Sequence, residues 1–199
     1  MDQGYPRKVT LKGGASITLR QLSGDDEEAL YRFFSTLPPE STEFLRDDVR
    51  DRQTIARWVR ERDPDRIWVL LAVDERGTIV GNASLHIGRG WRRHIGEVRV
   101  VVSASMQKQR LATALVHELV DRASVRSLKR LEAQILDVQE GARAVFQHFG
   151  FREEARLRGH AVDLQGKPHD LLILTSAVDD LWKTMQDLID DSEFVRDAY

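Results

Sequence analysis

The sequence predicts a mixed α/β (α+β) fold, with a mostly antiparallel central sheet and helices on both faces. Three observations predict it. Apolar residues alternate between helical spacing and strand spacing along the whole chain. The segments so marked run β-α-α-β-β-β-α-β-α-β-β, an order that needs a mixed sheet covered by helices. Apolar residues make up 41% and charged residues 31% of 199 residues, which is ordinary globular usage at a length that supports one sizeable core.

Residues 1–16 are polar and end in Gly13-Gly14, so they read as an N-terminal arm. The arm feeds a half-buried strand at Ile17-Thr18-Leu19-Arg20. Ser23 precedes four acidic residues, Asp25 to Glu28, which suit the positive end of a helix dipole. Leu30, Phe33, Phe34 and Leu37 continue that helix until Pro38-Pro39 stops it. A second helix covers Gln53 to Arg62, with Ile55, Trp58 and Val59 on one side.

From Ile67 the period changes. Ile67–Val73, a turn at Asp74–Gly77, and Thr78–Ile87 make a hairpin, and His94–Ser103 adds a third strand to the meander. In the second of these strands Asn82, Ser84 and His86 share the polar face. A long helix is expected over Gln107–Arg126, then a strand at Leu131–Leu136 and a helix around Ala142–Phe149 that ends at Gly150. Phe151–Val162 and Asp170–Thr175 form a closing hairpin. Residues 17–176 therefore read as one domain. In the tail, residues 177–199, Leu181, Trp182, Met185, Leu188 and Ile189 mark a helix before an acidic end.

Composition excludes several functions. A net charge of -2 gives no field for nucleic acid or an anionic membrane. The absence of cysteine removes thiol nucleophiles, disulfides and cysteine-based zinc sites, and it fits a reducing compartment. MDQGYPRKV has no apolar core for a signal peptide, and no apolar run approaches the roughly 20 residues of a membrane span. A cytoplasmic location is expected. His86 and His94 flank a turn without a carboxylate trio, so no metal site is expected there, and a substrate contact is the better role for His86. No G-x-S-x-G elbow is present.

The chemistry concentrates where Val100-Val101-Val102-Ser103 ends a strand and Gln107-Lys108-Gln109-Arg110-Leu111-Ala112 opens a helix. A loop entering a helix leaves several N–H groups unpaired at the positive end of the dipole, and such a place binds phosphate. This segment resembles the cofactor loop, Q/R-x-x-G-x-G/A, of the GNAT superfamily of acyl-CoA-dependent N-acetyltransferases. Arg110 stands where that loop has its first glycine. Arg93-His94-Ile95-Gly96-Glu97 is similar to the family's approach to its fourth strand. Gln139 to Phe151 resembles N-x-x-A-x-x-x-Y-x-x-x-G-F, keeping Ala142 and Gly150-Phe151 but with Gln139 for asparagine and Phe146 for tyrosine. The resemblance covers about Ile17 to Ser176.

What it implies is a splayed pair of strands, Glu97–Ser103 and Leu131–Leu136, with pantetheine in the gap. Backbone of Val101, Val102 and Ser103 would pair with it, and N–H groups of Gln109, Arg110, Leu111, Ala112, Thr113 and Ala114 would hold the pyrophosphate. Gln139 takes the place of the family's cofactor-side asparagine. Acetyl-CoA is the implied cosubstrate and an amine, on a small molecule or a protein, the implied partner; a homodimer is compatible with the tail helix or with the last strands. Glu97 matches the family's general base, or it forms an ion pair with Arg99; that arginine would lower its pKa and call for a water relay. Arg110 either grips phosphate or obstructs the loop. The expected activity is acetyl transfer from acetyl-CoA to a primary amine, directly, in a ternary complex. The alternative is a catalytically weak module of the same fold that binds acyl-CoA or another ligand as a sensor, since Phe146 has no proton for a leaving thiolate.

Overall fold

The computed structural model describes residues 4–42, 45–163 and 165–190. The acidic end beyond residue 190 and the side chains of Leu188 and Ile189, assigned above to the tail, lie outside that description. The strands are β1 (Arg7–Thr10), β2 (Ser16–Gln21), β3 (Ile67–Val73), β4 (Ile79–Ile87), β5 (Ile95–Val102), β6 (Arg130–Leu136), β7 (Arg152–Val162) and β8 (Pro168–Ala177). The helices are α1 (Glu27–Thr36), α2 (Pro39–Thr42), α3 (Arg52–Arg60), α4 (Leu111–Val125), α5 (Glu140–His148) and α6 (Val178–Asp190). This is the mixed, mostly antiparallel α/β arrangement that the sequence predicts. No helix among the described residues is long and apolar enough to cross a membrane.

The chain forms two compact units, with β4, β5 and α4 each contributing residues to both. The first comprises residues 4–84 and 100–115. Its strand order is β1-β2-β3-β4, antiparallel from β1 to β3, with Val9 opposite Ile17 and Leu19 opposite Ala72. β1 lies in the segment expected to be an arm. Its residues alternate between half-buried and exposed, so one side of a short polar stretch packs well enough to pair with β2. The core joins α1, α3 and β3 through Leu30, Phe33, Phe34, Ile55, Val59, Leu71 and Val73. Asp26 organises the start of α1, accepting from the Ser23 N–H at 2.7 Å and from both terminal nitrogens of Arg20. Asp51 caps α3 by accepting from Gln53 and Thr54 N–H groups. Pro39, expected only to stop a helix, also begins the single turn α2, because proline suits the first helical position.

The second unit comprises residues 85–99 and 116–190 and has strand order β4-β5-β6-β8-β7. β6 and β8 are antiparallel over seven residue pairs, from Arg130–Ala177 to Leu136–Leu171. β5 and β6 are parallel, and their pairing covers only Ile95–Arg130, Gly96–Leu131 and Glu97–Glu132. Gly96 is required at its position: a β-carbon there would lie 2.7–2.9 Å from side chains of Leu85, Leu128 and Leu131.

Two local features add to or correct the sequence reading. The polar side of β4 is buried at Asn82 and Ser84, together with Ala83 and Leu85 on the strand. In this sheet both faces of β4 are covered from Ile79 to Leu85. The long helix begins at Leu111 rather than Gln107. Lys108 and Arg110 have φ of 61° and 68°, left-handed values that a right-handed helix cannot include.

Candidate functional site

In the first unit the site is a strand, a loop and a helix start. Ser103 donates its N–H to the Val80 carbonyl at 2.9 Å, and its own carbonyl accepts from Met106 N–H at 3.0 Å. Both backbone groups of Ser103 are thus engaged, which counts against its expected part in pairing with a ligand. In the second unit Gly88 N–H donates to the Ile95 carbonyl at 3.0 Å. Both bonds involve odd-numbered residues of the β5 stretch, and backbone groups alternate in direction along a strand. Val101 therefore also faces β4, whereas Val100 and Val102 present their N–H and C=O groups along the opposite edge. Of the three residues expected to pair with a ligand, Val102 has the suitable direction. Val100 shares it and was not singled out by the sequence, although alternation along the strand is a signal that could have found it.

After Ser103 a 3-10 turn, Ala104–Met106, leads into the loop. Gln109 pins that loop: its Nε2 donates to the Ser105 carbonyl at 2.9 Å, and its Oε1 sits where a β-carbon on Gly13 would approach to 3.1 Å. Arg110, half-buried, closes the loop, and its carbonyl accepts the first helical bond of α4, from Ala114 N–H at 3.0 Å. The N–H groups of Leu111, Ala112 and Thr113 occupy the first turn, where helix geometry supplies no carbonyl to receive them. Ala114 N–H is already engaged, so its expected role in holding phosphate is not open to it. Lys108 is exposed beside the loop. Lys108 and Arg110, on either side of Gln109, turn left-handed, the kind of turn that can present backbone N–H groups to an anion, although Gln109 N–H itself donates to the Met106 carbonyl at 3.4 Å.

The second unit holds the candidate acid–base groups. Glu97 stands on β5 and accepts from Arg99 Nε at 2.8 Å, so the ion pair expected from their spacing is formed. The hairpin register set by Gly88 and Ile95 brings His86 opposite Glu97, with both side chains on one face. Across the other edge Glu97 is in register with Glu132 of β6. Glu132 is buried, and both its oxygens are occupied: Arg92 Nη2 at 2.8 Å and Gln134 Nε2 at 2.8 Å. Two carboxylates on one rung would repel, and each is matched by its own arginine. His94 is exposed and His86 half-buried.

Two expected residues serve packing and turns. Phe146 is buried, edge-on to Phe151 with ring centroids 5.1 Å apart, which explains why an aromatic without a hydroxyl is at home there. Gln139 closes the turn after β6, its Oε1 accepting from Leu136 N–H at 2.8 Å. One group of candidate metal ligands was not anticipated. His117, Glu118 and Asp121 on α4 hold their ligand atoms within 4.8 Å of one another. Their spacing on one helix, with His117 and Asp121 one turn apart, was readable from the sequence.

A model of the family described as "Acetyltransferase (GNAT) family" matches residues 28–151. A search of curated proteins found no match. Among solved structures, the chain is similar to a ribosomal-protein-alanine N-acetyltransferase from Brucella melitensis, at 26% identity over 80% of this chain and 98% of that one, with a TM-score of 0.70. It is similar to yncA from Salmonella typhimurium, solved with its cofactor acetyl-CoA, at 22% identity over 82% and 94%, with a TM-score of 0.71. The GNAT domain of S. lividans PAT matches at 20% identity over 85% and 95%, with a TM-score of 0.71.

Proposed function

The chain belongs to the GNAT acetyltransferase family, and from that premise we propose that it moves an acetyl group from acetyl-CoA to a primary amine by direct transfer in a ternary complex. The transferase domain in this reading spans residues 17–176. The observation that carries it is the loop from Ser103 to Leu111. Its backbone turns left-handed at Lys108 and Arg110 and runs straight into α4.

The residues of that loop fit a diphosphate. N–H groups of Leu111, Ala112 and Thr113 meet the anion at the positive end of the helix, with Lys108 adding charge beside them. Arg110 adopts the backbone conformation glycine would have there, so its β-carbon does not prevent the loop from forming. When bound, the cosubstrate supplies an activated thioester. Val102 offers its N–H on the edge of β5 that faces away from β4, where it stabilises negative charge on an oxygen.

An acceptor amine is mostly protonated near neutral pH and must lose a proton before it attacks. Glu97 receives that proton, directly or through a water. Arg99 holds one carboxylate oxygen in place, and His86 on the same face lines the path of the acceptor. Holding both reactants together supplies much of the rate without a covalent enzyme intermediate.

Melting the protein with acetyl-CoA and with CoA tests the reading, because a ligand that binds only the folded state raises the melting temperature. Both are expected to raise it, and free thiol is expected to appear when amines are added. No shift with either ligand would reject the proposal. A shift with no thiol release from any of a broad set of amines would support a second reading, a binding module without turnover, which the buried hydroxyl-free ring of Phe146 favours.

A further inference from the structure

We propose that the turn from Arg89 to His94, which joins β4 to β5, is a docking surface for the acceptor, and that the acceptor it fits is an acidic peptide segment. The word acceptor rests on the transferase reading; the docking itself does not.

Trp91 leaves 81% of its surface exposed at the tip of this turn. A tryptophan normally hides most of its large apolar area, so an indole held out in water offers apolar area to a partner. The exposure is not that of a loose loop. Arg92 N–H donates to the Arg89 carbonyl at 2.9 Å, and Arg93 N–H and Nη1 both reach the Gly90 carbonyl at 3.2 Å. Gly90 takes a left-handed φ of 56°, and a β-carbon on Gly88 would come within 2.4 Å of the Arg92 carbonyl. The backbone therefore closes on itself through two positions that favour glycine. Arg92 then anchors the turn through its ion pair with buried Glu132, the residue in register with Glu97. The anchor fixes the indole on the hairpin that carries the proposed base.

The charges choose the partner. Arg92 and Arg99 are matched by Glu132 and Glu97. Arg89 and Arg93, exposed on either side of Trp91, pair with no carboxylate among the described residues. An indole between two unmatched guanidiniums repels a cationic segment and attracts carboxylates, while the ring supplies apolar area. Nucleic acid is the poorer fit, because two cations do not make a phosphate-tracking groove and the chain carries a net charge of -2.

The test uses the full chain and three labelled probes: a glutamate-rich peptide with a blocked amino terminus, a lysine-rich peptide treated the same way, and a single-stranded oligonucleotide. Fluorescence anisotropy reads binding for the wild type, Trp91→Ala, and the double variant Arg89→Ala with Arg93→Ala. The acidic peptide is expected to bind, to be released by salt, and to bind roughly tenfold more weakly to each variant. Equal binding of the lysine-rich peptide, preferred binding of the oligonucleotide, or unchanged affinity in both variants would overturn the proposal. The blocked glutamate-rich peptide carries no free amine to acetylate, so its binding is independent of turnover. Thiol release with the unblocked peptide then reports on transfer alone: release from small amines without binding of the acidic peptide sinks the docking surface, and binding without any release sinks the transferase.

Discussion

Arg110 offers the sharpest test of the loop. Its φ of 68° is a conformation in which a β-carbon costs about 1–2 kcal/mol. Glycine avoids that cost but gives up about 0.5–1 kcal/mol through the greater freedom of the unfolded chain. Arg110→Gly and Arg110→Ala both remove the guanidinium, so whatever it contacts cancels in their comparison. What is left is the backbone difference, which makes the glycine variant more stable than the alanine variant by roughly 0.5–1 kcal/mol. For a chain of this size that corresponds to about 1–4 °C in melting temperature. Thermal melts and urea midpoints of the two variants, run side by side, measure it. If alanine proves as stable as glycine, the left-handed backbone is not native and the anion-binding turn loses its basis. Adding CoA to the same melts separates the role of the side chain. The ligand-induced rise is expected to persist in Arg110→Gly, and its loss would show that the guanidinium itself holds phosphate.

Glu97→Gln is expected to lower turnover by roughly a hundredfold or more while the CoA-induced rise in melting temperature stays, and unchanged turnover across pH would remove Glu97 as the base. Gly96→Ala forces a methyl against three buried leucines and is expected to destabilise by about 1–3 kcal/mol, read as a lower urea midpoint; a neutral result would mean that β5 does not pack as described. Burial alone would raise the Asp26 carboxyl, but hydrogen bonds from Arg20 and Ser23 outweigh it and hold the group below its ordinary 3.8. A carboxyl lowered by folding adds stability above that value, and the contribution drains away as pH falls toward the folded value. The gap in melting temperature between wild type and Asp26→Asn should therefore narrow below about pH 4, and a gap that holds constant through that window would contradict the ion pair.

Much of the architecture was legible because it depends on short-range pattern. Ile67–Val73 is a compact apolar run bounded by turn residues, and β3 occupies that same span. β1 escaped notice because Arg7-Lys8-Val9-Thr10 carries a single strong apolar residue and owes its form to pairing with β2. The start of α4 was set too early because Gln107, Lys108, Gln109 and Arg110 all favour helix, and nothing in their side chains announces the sign of φ. Glu132 was missed for another reason. In Leu131-Glu132-Ala133-Gln134 it looks like an ordinary solvent-facing residue, and its importance rests on Arg92, forty positions earlier, and on register with Glu97. These three misses depend on pairing across strands or on backbone torsion rather than on local propensity.

The alternation along β5 also has a bearing on length. Only every second residue offers its polar backbone to the outer edge, so the usable rungs at Val100 and Val102 stand about 6.8 Å apart. An extended arm laid against them cannot creep by one residue, since a half step would set donors against donors. Under the proposed transfer the strand would act as a coarse ruler with two marks. A donor whose arm is shortened or lengthened by one amide unit would then miss one of those marks.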